Sequence, residues 1–475
     1  MIGRDEIMRV AGDLSLRPEV VEKDYVLGWM LSGIFHDEIL SPAWVFKGGT
    51  CLKKCFFETY RFSEDLDFTI IDKTHLDRDF LIGRFTHIGQ WIYDTTGIEI
   101  PADMMRFDVW DTLRGSRAGN GRLSYRGPLV RGGDPPRIRL DLTADEALVR
   151  EPLMRPVGHP YTDAPTEGIV ARCYAFDEVF GEKVRALAER SRPRDLYDVI
   201  NLFRNGEFAA AANAVREVVQ RKCAFKGIAF PTLTSLDPFR EELAGEWQNM
   251  LGHQLPTLPP IQSFLDALPA FFEWLAGEPR PIVATVHPLN RNTEVIRAPA
   301  GAIGFGEPNA PAIETIRFAA VNRLCVDLEY RNEQGRHGNR LIEPYSLRRT
   351  QAGDVLLMAV RADSGEARSY RLDRILSARA TQRAFVPRYP VELTPTGPLS
   401  IPDKETRSSG DLGGGLGLPR ARTRPPRTGP TYVFRCTVCG KEFQRKTYDG
   451  TLRAHKNRGG RDCYGRFGTY VRTQY

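Results

Sequence analysis

The sequence predicts an α+β protein of several domains, and three observations support this prediction. The chain has 475 residues, which is more than a single hydrophobic core usually serves. Helix-like and strand-like patterns alternate through residues 1–276. A helical segment at 313–322 and several short strand-like segments follow within residues 313–394, and a basic segment with cysteine and histidine occupies residues 431–475. We therefore expect a mixed domain with a helical C-terminal part, a small β-barrel and a small terminal module.

Composition and charge are those of a water-soluble globular protein. Hydrophobic residues make up 41% of the chain and charged residues 27%. No run of about 18 apolar residues occurs, and the charged start "MIGRDEIMRV" is unlike a secretory signal. We therefore expect a cytoplasmic protein with no membrane partner. The net charge of +6 is uneven, since residues 401–475 hold 16 Lys and Arg against 6 Asp and Glu, which predicts a polyanionic partner for this end.

Local patterns predict the elements of the first 276 residues in order. Residues 1–44 have a helical pattern, and residues 45–49 look like a short strand that runs into a glycine turn. Thr50 is a candidate N-cap for the helix that follows. The other predicted elements are strands at 66–71 and 137–143, helices at 78–95, from 177 and from 192, and a mostly helical stretch at 207–276.

Two of these strands carry candidate metal ligands. Asp65 and Asp67 are two positions apart, so a strand presents both carboxylates on one face. Asp141 lies on the opposite side of its strand from three apolar residues and is a candidate third carboxylate. Such a set suits Mg²⁺, which takes carboxylate and phosphate oxygens, and a two-metal phosphoryl-transfer site is consistent with it.

The glycine pair before Asp65 is a candidate phosphate site. Gly48 and Gly49 leave backbone amides free to approach a phosphate, and the following helix directs its positive end the same way. Each motif alone has an ordinary structural interpretation. A glycine pair before a threonine is often only a turn with a helix cap, and two spaced aspartates often lie on a solvated strand edge.

The order of the motifs resembles a known family. "VVEKDYVL", "FKGGTCLKK", "RFSEDLDF", "RLDLT", "DEVFGEKVRAL" and "RDLYD" follow the pattern of AbiEii/MenT-type nucleotidyltransferase toxins, which belong to the DNA polymerase β-like superfamily. The resemblance extends over about residues 1–275. It implies a polymerase β-like fold and transfer of a nucleotide from an NTP, with Mg²⁺, to an RNA acceptor that is typically the 3′ end of tRNA. It also implies a toxin or phage-defence role and a separate antitoxin protein.

The resemblance assigns roles to individual residues. Asp65, Asp67 and Asp141 hold the metals, Lys183 neutralises phosphate charge, and Asp195 belongs to the last catalytic motif. Lys183 could instead form an ion pair on a solvated helix face, and Asp195 could be a helix-start residue after Pro193. The residues expected around the nucleotide are Lys47, Gly48, Gly49, Thr50, Arg61 and Ser63.

The composition changes after residue 276. Residues 277–312 contain six prolines and are interpreted as a transition segment. In residues 313–394, "VDLEYR", "NRLIEPYSL" and "GEARSYRLDRI" resemble a WYL domain, an Sm-like small β-barrel, although Val355–Leu357 replace its namesake tripeptide. Pairing of the arginines within the barrel is the alternative to ligand binding. The resemblance implies a nucleic-acid or nucleotide ligand near Tyr330, Arg340, Tyr345, Arg368 and Arg371.

Residues 395–430 are rich in Gly, Pro, Arg and Ser and are interpreted as a disordered linker. The module at 431–475 contains Cys436 and Cys439, then His455 and Cys463, a possible Cys₃His set for a structural Zn²⁺. Unligated thiols are the alternative. Basic residues suggest contact with nucleic acid; they include Lys441, Arg445, Lys446, Arg453 and Lys456.

The sequence therefore favours a Mg²⁺-dependent nucleotidyltransferase that acts on RNA, with nucleic-acid sensing by the C-terminal modules. One alternative is a regulator that binds nucleic acid through the barrel and the zinc module and uses the transferase fold as a scaffold. Another is nucleotidyl transfer to a protein or a small molecule. The presence of all three acidic positions and the lysine favours the enzyme over the scaffold.

Overall fold

The fold is described from a computed structural model of the chain. The residues that the structure describes are 1–13, 16–57, 61–129, 132–204, 211–281, 283, 285–296, 310–393, 431–445, 452–457, 462–463, 465 and 468–474. They fall into two compact units, Met1–Lys404 and Glu405–Tyr475. The predicted linker at 395–430 lies outside the described residues. No described helix is both long and apolar enough to cross a membrane.

A seven-stranded mixed sheet is the centre of residues 1–276, here called the transferase domain. Its strand order is β3-β4-β5-β2-β1-β7-β6, with β2 parallel to β5 and β1 parallel to β7. The other neighbours in the sheet are antiparallel. The strands are β1 (Trp44–Lys47), β2 (Asp65–Ile70), β3 (Arg106–Asp111), β4 (Arg117–Ser124), β5 (Arg137–Thr143), β6 (Leu153–Val157) and β7 (Ile169–Cys173).

Helices cover one face of this sheet and extend the domain beyond it. Phe35 and Phe85, from the second and fourth helices, contact the buried strand residues Phe68 and Phe107. The helices are α1 (Arg4–Asp13), α2 (Pro18–His36), α3 (Gly48–Cys51), α4 (Arg78–Thr96), α5 (Phe176–Arg190), α6 (Pro193–Arg204), α7 (Ala212–Lys226), α8 (Leu233–Leu236), α9 (Arg240–Leu251), α10 (Gln262–Leu265) and α11 (Leu268–Ala276).

Local sequence explains several of these boundaries. In β5 the exposed and buried residues alternate, as its sequence predicts. The carboxylate of Asp77 accepts hydrogen bonds from the first turn of α4, and Gly97 ends that helix in the left-handed region at φ +80°. The helical prediction for 78–95 is confirmed to within one residue.

Two local predictions were wrong or incomplete. The predicted strand at 45–49 ends at Lys47, and Gly48 already begins α3. Thr50 is therefore not an N-cap, and its hydroxyl donates to the carbonyl of Asp65 instead, at 2.5 Å. Strands β3, β4, β6 and β7 were not predicted. In β4 two glycines interrupt the apolar pattern on which the prediction of a strand depends. One of them, Gly121, is needed for packing, since a Cβ there would lie 2.7 Å from the Phe107 ring.

A second, six-stranded antiparallel sheet follows the transferase domain. Its order is β12-β11-β10-β9-β13, with β8 paired to β10, and helix α12 packs on it. Strand β13 was not predicted, and β8 lies in the segment interpreted as a transition. The elements are β8 (Thr293–Val295), α12 (Ala310–Val321), β9 (Leu324–Arg331), β10 (His337–Thr350), β11 (Val355–Arg361), β12 (Ala367–Arg371) and β13 (Ile375–Ala384).

The terminal module consists of short strands in its described residues. One sheet has the order β15-β14-β18, and β16 pairs with β17. Its small core contains Phe434, Leu452 and the thiols of Cys436 and Cys463. The strands are β14 (Thr431–Cys436), β15 (Glu442–Arg445), β16 (His455–Lys456), β17 (Asp462–Cys463) and β18 (Gly468–Gln474).

Candidate active site

Three carboxylates meet on the face of the first sheet that α2 and α4 leave uncovered. In the parallel pair β2 and β5, Asp67 lies opposite Asp141, and Asp65 lies opposite Arg139. Partners in register point to the same side of a sheet, so the three predicted carboxylates share one face. They line a cleft of about 410 Å³, here called the acidic cleft. Its lining residues are Asp65, Asp67, Asn120, Gly121, Arg122, Arg139, Leu140 and Asp141.

Among the described residues, Asp65, Asp67 and Asp141 form no ion pair, although Arg122 and Arg139 also line the acidic cleft. Burial, together with the nearby charges of Asp141 and Asp65, raises the pKa of Asp67 to about 6, although Lys47 and Lys183 oppose the shift. The pKa of Asp141 is also raised, first by burial and then by Asp65, against the opposing charge of Lys47. Carboxylates crowded in this way fit a divalent cation.

The glycine turn lies against Asp67. Gly48 has φ +81°, and a Cβ there would lie only 2.0 Å from Oδ2 of Asp67. At Gly49 a Cβ would lie 2.6 Å from the guanidinium of Arg61 and 3.1 Å from the hydroxyl of Ser63. Glycine is therefore required at both positions for the backbone to approach the acidic cleft.

Lys47 is opposite Asp67 in the antiparallel pair of β1 and β2. Its ammonium lies 3.4 Å from the carboxylate of Glu146, which also pairs with Lys226. Burial lowers the pKa of Lys47, but the charge of Glu146 and further acidic neighbours outweighs it, so the pKa is raised above its ordinary value. The sequence analysis missed Glu146, because nothing in "LTADEA" indicates that this residue approaches β1.

Lys183 and Asp195 belong to an ion-pair network of Arg61, Lys183, Arg190, Asp195 and Asp198, called here the buried ion-pair network, in which all members except the exposed Arg190 are buried. The ammonium of Lys183 lies 2.8 Å from Asp198 and 3.9 Å from Asp195. Arg61 binds both oxygens of Asp198 at 2.7 Å, and Arg190 binds both oxygens of Asp195 at 2.7 and 2.9 Å. Both carboxylates are completely buried.

The pKa shift of Asp198 in the buried ion-pair network is opposite in direction to the shifts in the acidic cleft. Burial alone would raise the pKa of Asp198, but Arg61 and Lys183 outweigh it and hold the pKa below its ordinary value. The three cations and two carboxylates carry a formal charge of +1. Lys183 also acts on the Asp67 carboxylate, so the network places positive charge beside the acidic cleft.

The nucleotide residues predicted from the sequence are therefore brought together in part. Lys47, Gly48, Gly49 and Ser63 adjoin the carboxylates or the glycine turn. Arg61 is only 2% exposed, and it connects Gly49 to the buried ion-pair network rather than to the open cleft. Arg194, which the sequence analysis did not single out, carries a charge that interacts with Asp65.

The residues predicted to bind a ligand on the second sheet differ in exposure. Tyr345 is completely buried, and its hydroxyl donates to Glu343 at 2.9 Å. Arg371 pairs with Asp354 and Asp373, and Arg368 pairs with Glu366. The remaining two lie at the open end of β9 and β10, where Tyr330 is edge-on to Tyr370 at 5.1 Å and Arg340 donates to the carbonyl of Asn339. Pairing within the sheet thus accounts for Arg368 and Arg371.

The terminal module brings its four predicted metal ligands together. The ligand atoms of Cys436, Cys439, His455 and Cys463 all lie within 4.8 Å of one another. Backbone amides of the tight turn after Cys436 approach its sulfur, as with Val438 at 3.5 Å. Three thiols and one imidazole are a donor set that suits tetrahedral Zn²⁺.

The basic residues of the terminal module lie around this cluster. Arg453 and Lys456 are exposed, whereas Lys441 and Arg445 are half-buried. The ammonium of Lys441 donates to the carbonyl of Lys456 at 3.3 Å. Lys446 lies outside the described residues.

A second cluster of thiols was not predicted. The sulfurs of Cys51, Cys55 and Cys173 lie within 4.8 Å of one another and are buried directly behind the glycine turn. All three lie in the hydrophobic core of the transferase domain. Their proximity depends on the pairing of β1 with β7, which local sequence does not reveal.

Two family models match the chain. That of the nucleotidyl transferase AbiEii toxin, Type IV TA system, matches residues 29–276, and that of the WYL domain matches residues 311–380. No curated protein matches the chain. The AbiEii match spans more than half of the chain and includes the three carboxylates of the acidic cleft.

Solved structures also show similarity. MenT4, a nucleotidyltransferase toxin from Mycobacterium tuberculosis H37Rv, is 18% identical with a TM-score of 0.38, over 59% of this chain and 91% of that one. JHP933 from Helicobacter pylori is 16% identical with a TM-score of 0.34, over 55% and 93%. PafBC of Arthrobacter aurescens is 22% identical with a TM-score of 0.16, over 18% and 13%.

Proposed function

Because this chain belongs to the AbiEii family of nucleotidyltransferase toxins, we propose that it transfers a nucleotide from an NTP to an RNA acceptor, specifically the 3′ end of tRNA. The observation that carries this proposal is the convergence of Asp65, Asp67 and Asp141 on one sheet face beside a glycine turn. Modification of tRNA ends would make the chain a toxin or a phage-defence effector.

The acidic cleft supplies the metal ligands in this proposal. Asp65, Asp67 and Asp141 would hold Mg²⁺, and their hard oxygen donors and unbalanced charge fit that ion. Bound Mg²⁺ would lower the pKa of the attacking hydroxyl and stabilise the charge of the leaving pyrophosphate. Asp67 must give up its proton to act as a ligand, so its raised pKa makes metal binding weaker below about pH 6.

The glycine turn and the buried ion-pair network bind and orient the triphosphate in this proposal. The backbone amides at Gly48 and Gly49 can approach phosphate oxygens because neither residue has a side chain to block them. The positive charge of Lys183 acts from behind the acidic cleft, where Asp198 holds its ammonium in place. Lys47 is fixed by Glu146 and acts on the same carboxylates.

One experiment tests the proposed function. The purified full chain is incubated with each labelled NTP, Mg²⁺ and total tRNA, beside an Asp65→Ala/Asp67→Ala variant and an Asp111→Ala control. Asp111 is an exposed carboxylate at the end of β3, so its loss leaves the acidic cleft intact. We expect label on tRNA with the native chain and the control, and none with the double variant.

Other outcomes would redirect the assignment. No transfer to RNA with any NTP would overturn the RNA acceptor, and label on protein or on a small molecule would identify the acceptor class instead. Binding of nucleic acid without any transfer would support the regulator. Transfer that persists in the double variant would overturn the assignment of the two aspartates.

We also propose that the four ligands of the terminal module hold a structural Zn²⁺ and that the basic surface around it contacts nucleic acid. The convergence of Cys436, Cys439, His455 and Cys463 supports this, since so small a core needs a further constraint to fold. Cys436→Ser is expected to lose stoichiometric zinc, measured by elemental analysis, while Cys325→Ser in the second sheet keeps it. Zinc retained by Cys436→Ser would contradict the ligand set.

A further inference from the structure

The open face of β3, β4 and β5 continues the acidic cleft as an ordered row of basic side chains. Register places Arg106 opposite Arg122, Arg122 opposite Arg139, and Arg139 opposite Asp65. All three arginines are exposed. Neighbouring strands are about 4.8 Å apart, so the row extends roughly 14 Å from the carboxylates to the sheet edge.

An exposed aromatic ring lies on the same face. Trp110 is on β3, four positions after Arg106, so both side chains point to the same side of the strand. Its side chain is 43% exposed, which is unusual for tryptophan. Among the described residues, Trp110 makes no ring contact.

The charge on this face is only partly neutralised. Arg122 pairs with Asp108, and Arg106 donates to the carbonyls of Asp103 and Met105. Arg139, the arginine nearest to Asp65, forms no ion pair within the described part of the chain. Because Arg139 is exposed, its guanidinium is accessible to an anionic ligand next to the carboxylates of the acidic cleft.

We propose that this face, here called the arginine row (Arg106, Arg122, Arg139 and Trp110), binds the single-stranded 3′ end of the RNA acceptor. The arginines contact phosphodiester groups, and the indole of Trp110 stacks on a base several nucleotides from the end. The row starts at Asp65, so a strand lying along it delivers its terminal hydroxyl to the carboxylates. This inference rests on the proposed function and assigns its acceptor site.

The acceptor itself must be single-stranded where it contacts the row. A tryptophan can stack only on a base whose face is open, and a duplex end would present backbone to the arginines without that base. The arginine row therefore contacts the phosphodiester backbone and the face of a base, and not the base edges. We expect it to accept any base sequence in the terminal nucleotides of the RNA.

Steady-state kinetics of the full chain with labelled NTP and tRNA test the arginine row. Arg139→Gln and Arg122→Gln are each expected to raise the KM for tRNA about fivefold, and Trp110→Ala about tenfold. The KM for NTP should be unchanged in Trp110→Ala, because Trp110 is not among the residues that line the acidic cleft. Each arginine lost should also reduce the salt dependence of log KM by about 0.7. Arg139→Lys should restore most of the affinity, which a merely structural role would not predict.

The control is Arg78→Gln, which removes one exposed charge at the start of α4, on the covered side of the sheet. If the native chain labels tRNA but all three variants keep the KM and salt dependence of this control, the arginine row is wrong and the proposed function stands.

If the native chain transfers no nucleotide to RNA, a second measurement still tests whether the arginine row binds RNA. RNA containing 4-thiouridine is cross-linked to the full chain by ultraviolet light, and the cross-linked peptides are identified by mass spectrometry. Cross-links to the peptides of β3 and β4 that Trp110→Ala removes would support the row while the proposed function fails. Cross-links confined to other segments would overturn the row as well.

Discussion

The acidic cleft and the buried ion-pair network lie side by side, and both contain aspartates, but the electrostatic environments of these aspartates are opposite. In the network, Asp195 and Asp198 are completely buried and bound by arginine and lysine at hydrogen-bond distance. In the cleft, Asp65, Asp67 and Asp141 face one another and have no such partner within the described part of the chain. The carboxylates that hold the fold are thus separate from those available to a ligand.

The difference between the two regions shows in the direction of their pKa shifts. Paired cations outweigh burial at Asp198 and lower its pKa, whereas burial and like charge act together at Asp67 and raise its pKa. A lowered pKa means that the ionised form stabilises the fold, and a raised pKa means that it destabilises the fold. Removing a charge should therefore have opposite effects on stability in the two regions.

The largest effect is expected from Asp198→Ala. The substitution leaves Arg61 and Lys183 buried without their shared carboxylate, which should lower the free energy of unfolding by about 3–5 kcal/mol. Urea unfolding followed by circular dichroism measures the change, with Asp111→Ala as an exposed control expected within about 0.5 kcal/mol of the native chain. A loss below about 1 kcal/mol for Asp198→Ala would show that the network is not a structural centre.

A smaller effect of opposite sign is expected from Asp67→Asn. The folded-state pKa of about 6 exceeds the ordinary value of 3.8, so the folded chain binds more protons between these values and loses stability as the pH rises through them. Above pH 6 without divalent cations, Asp67→Asn should therefore stabilise the chain by at most about 3 kcal/mol. The gain should shrink as the pH falls towards 4, and nucleotide transfer should be lost.

Mg²⁺ distinguishes this effect from simple repacking. Adding it should stabilise the native chain, because binding to the folded state alone shifts the unfolding equilibrium. Asp67→Asn should gain much less. Thermal unfolding of the native chain and of Asp67→Asn, with and without Mg²⁺, measures these effects. If Asp67→Asn is less stable than the native chain in the absence of metal, the ionised Asp67 does not destabilise the fold and the prediction is wrong.

The sequence predicted one of the two regions far better than the other. Strand alternation alone was enough to put Asp65 and Asp67 on one face and Asp141 on the polar side of its own strand. In the network, Arg61 pairs with Asp198, 137 residues away, and beside the acidic cleft Lys47 pairs with the distant Glu146. Local sequence periodicity cannot predict such contacts, because they form only when the strands and helices pack together.

The same limit explains the missing strands. β4 has Gly119 and Gly121 where a local pattern needs apolar residues, and in the short β3 only Phe107 is buried. Their register with β5 carries the arginine row, so the proposed acceptor site was not visible in the sequence. Most strands of the second sheet were predicted because their segments show apolar runs, as in β11, or alternation of apolar and charged residues, as in β9.

The smallest effect on stability is expected at the glycine turn between the two regions. Gly48→Ala and Gly115→Ala both place a Cβ at positive φ, +81° and +70°, and the backbone strain alone should cost each variant about 1 kcal/mol. Only the Cβ at Gly48 meets a neighbour, Oδ2 of Asp67 at 2.0 Å, while nothing lies within 4 Å at Gly115. Gly48→Ala should therefore weaken Mg²⁺ stabilisation and slow transfer at least tenfold, as expected when a catalytic group is displaced, while Gly115→Ala keeps both. Equal activity of the two variants would show that the close approach of the turn to Asp67 has no catalytic importance.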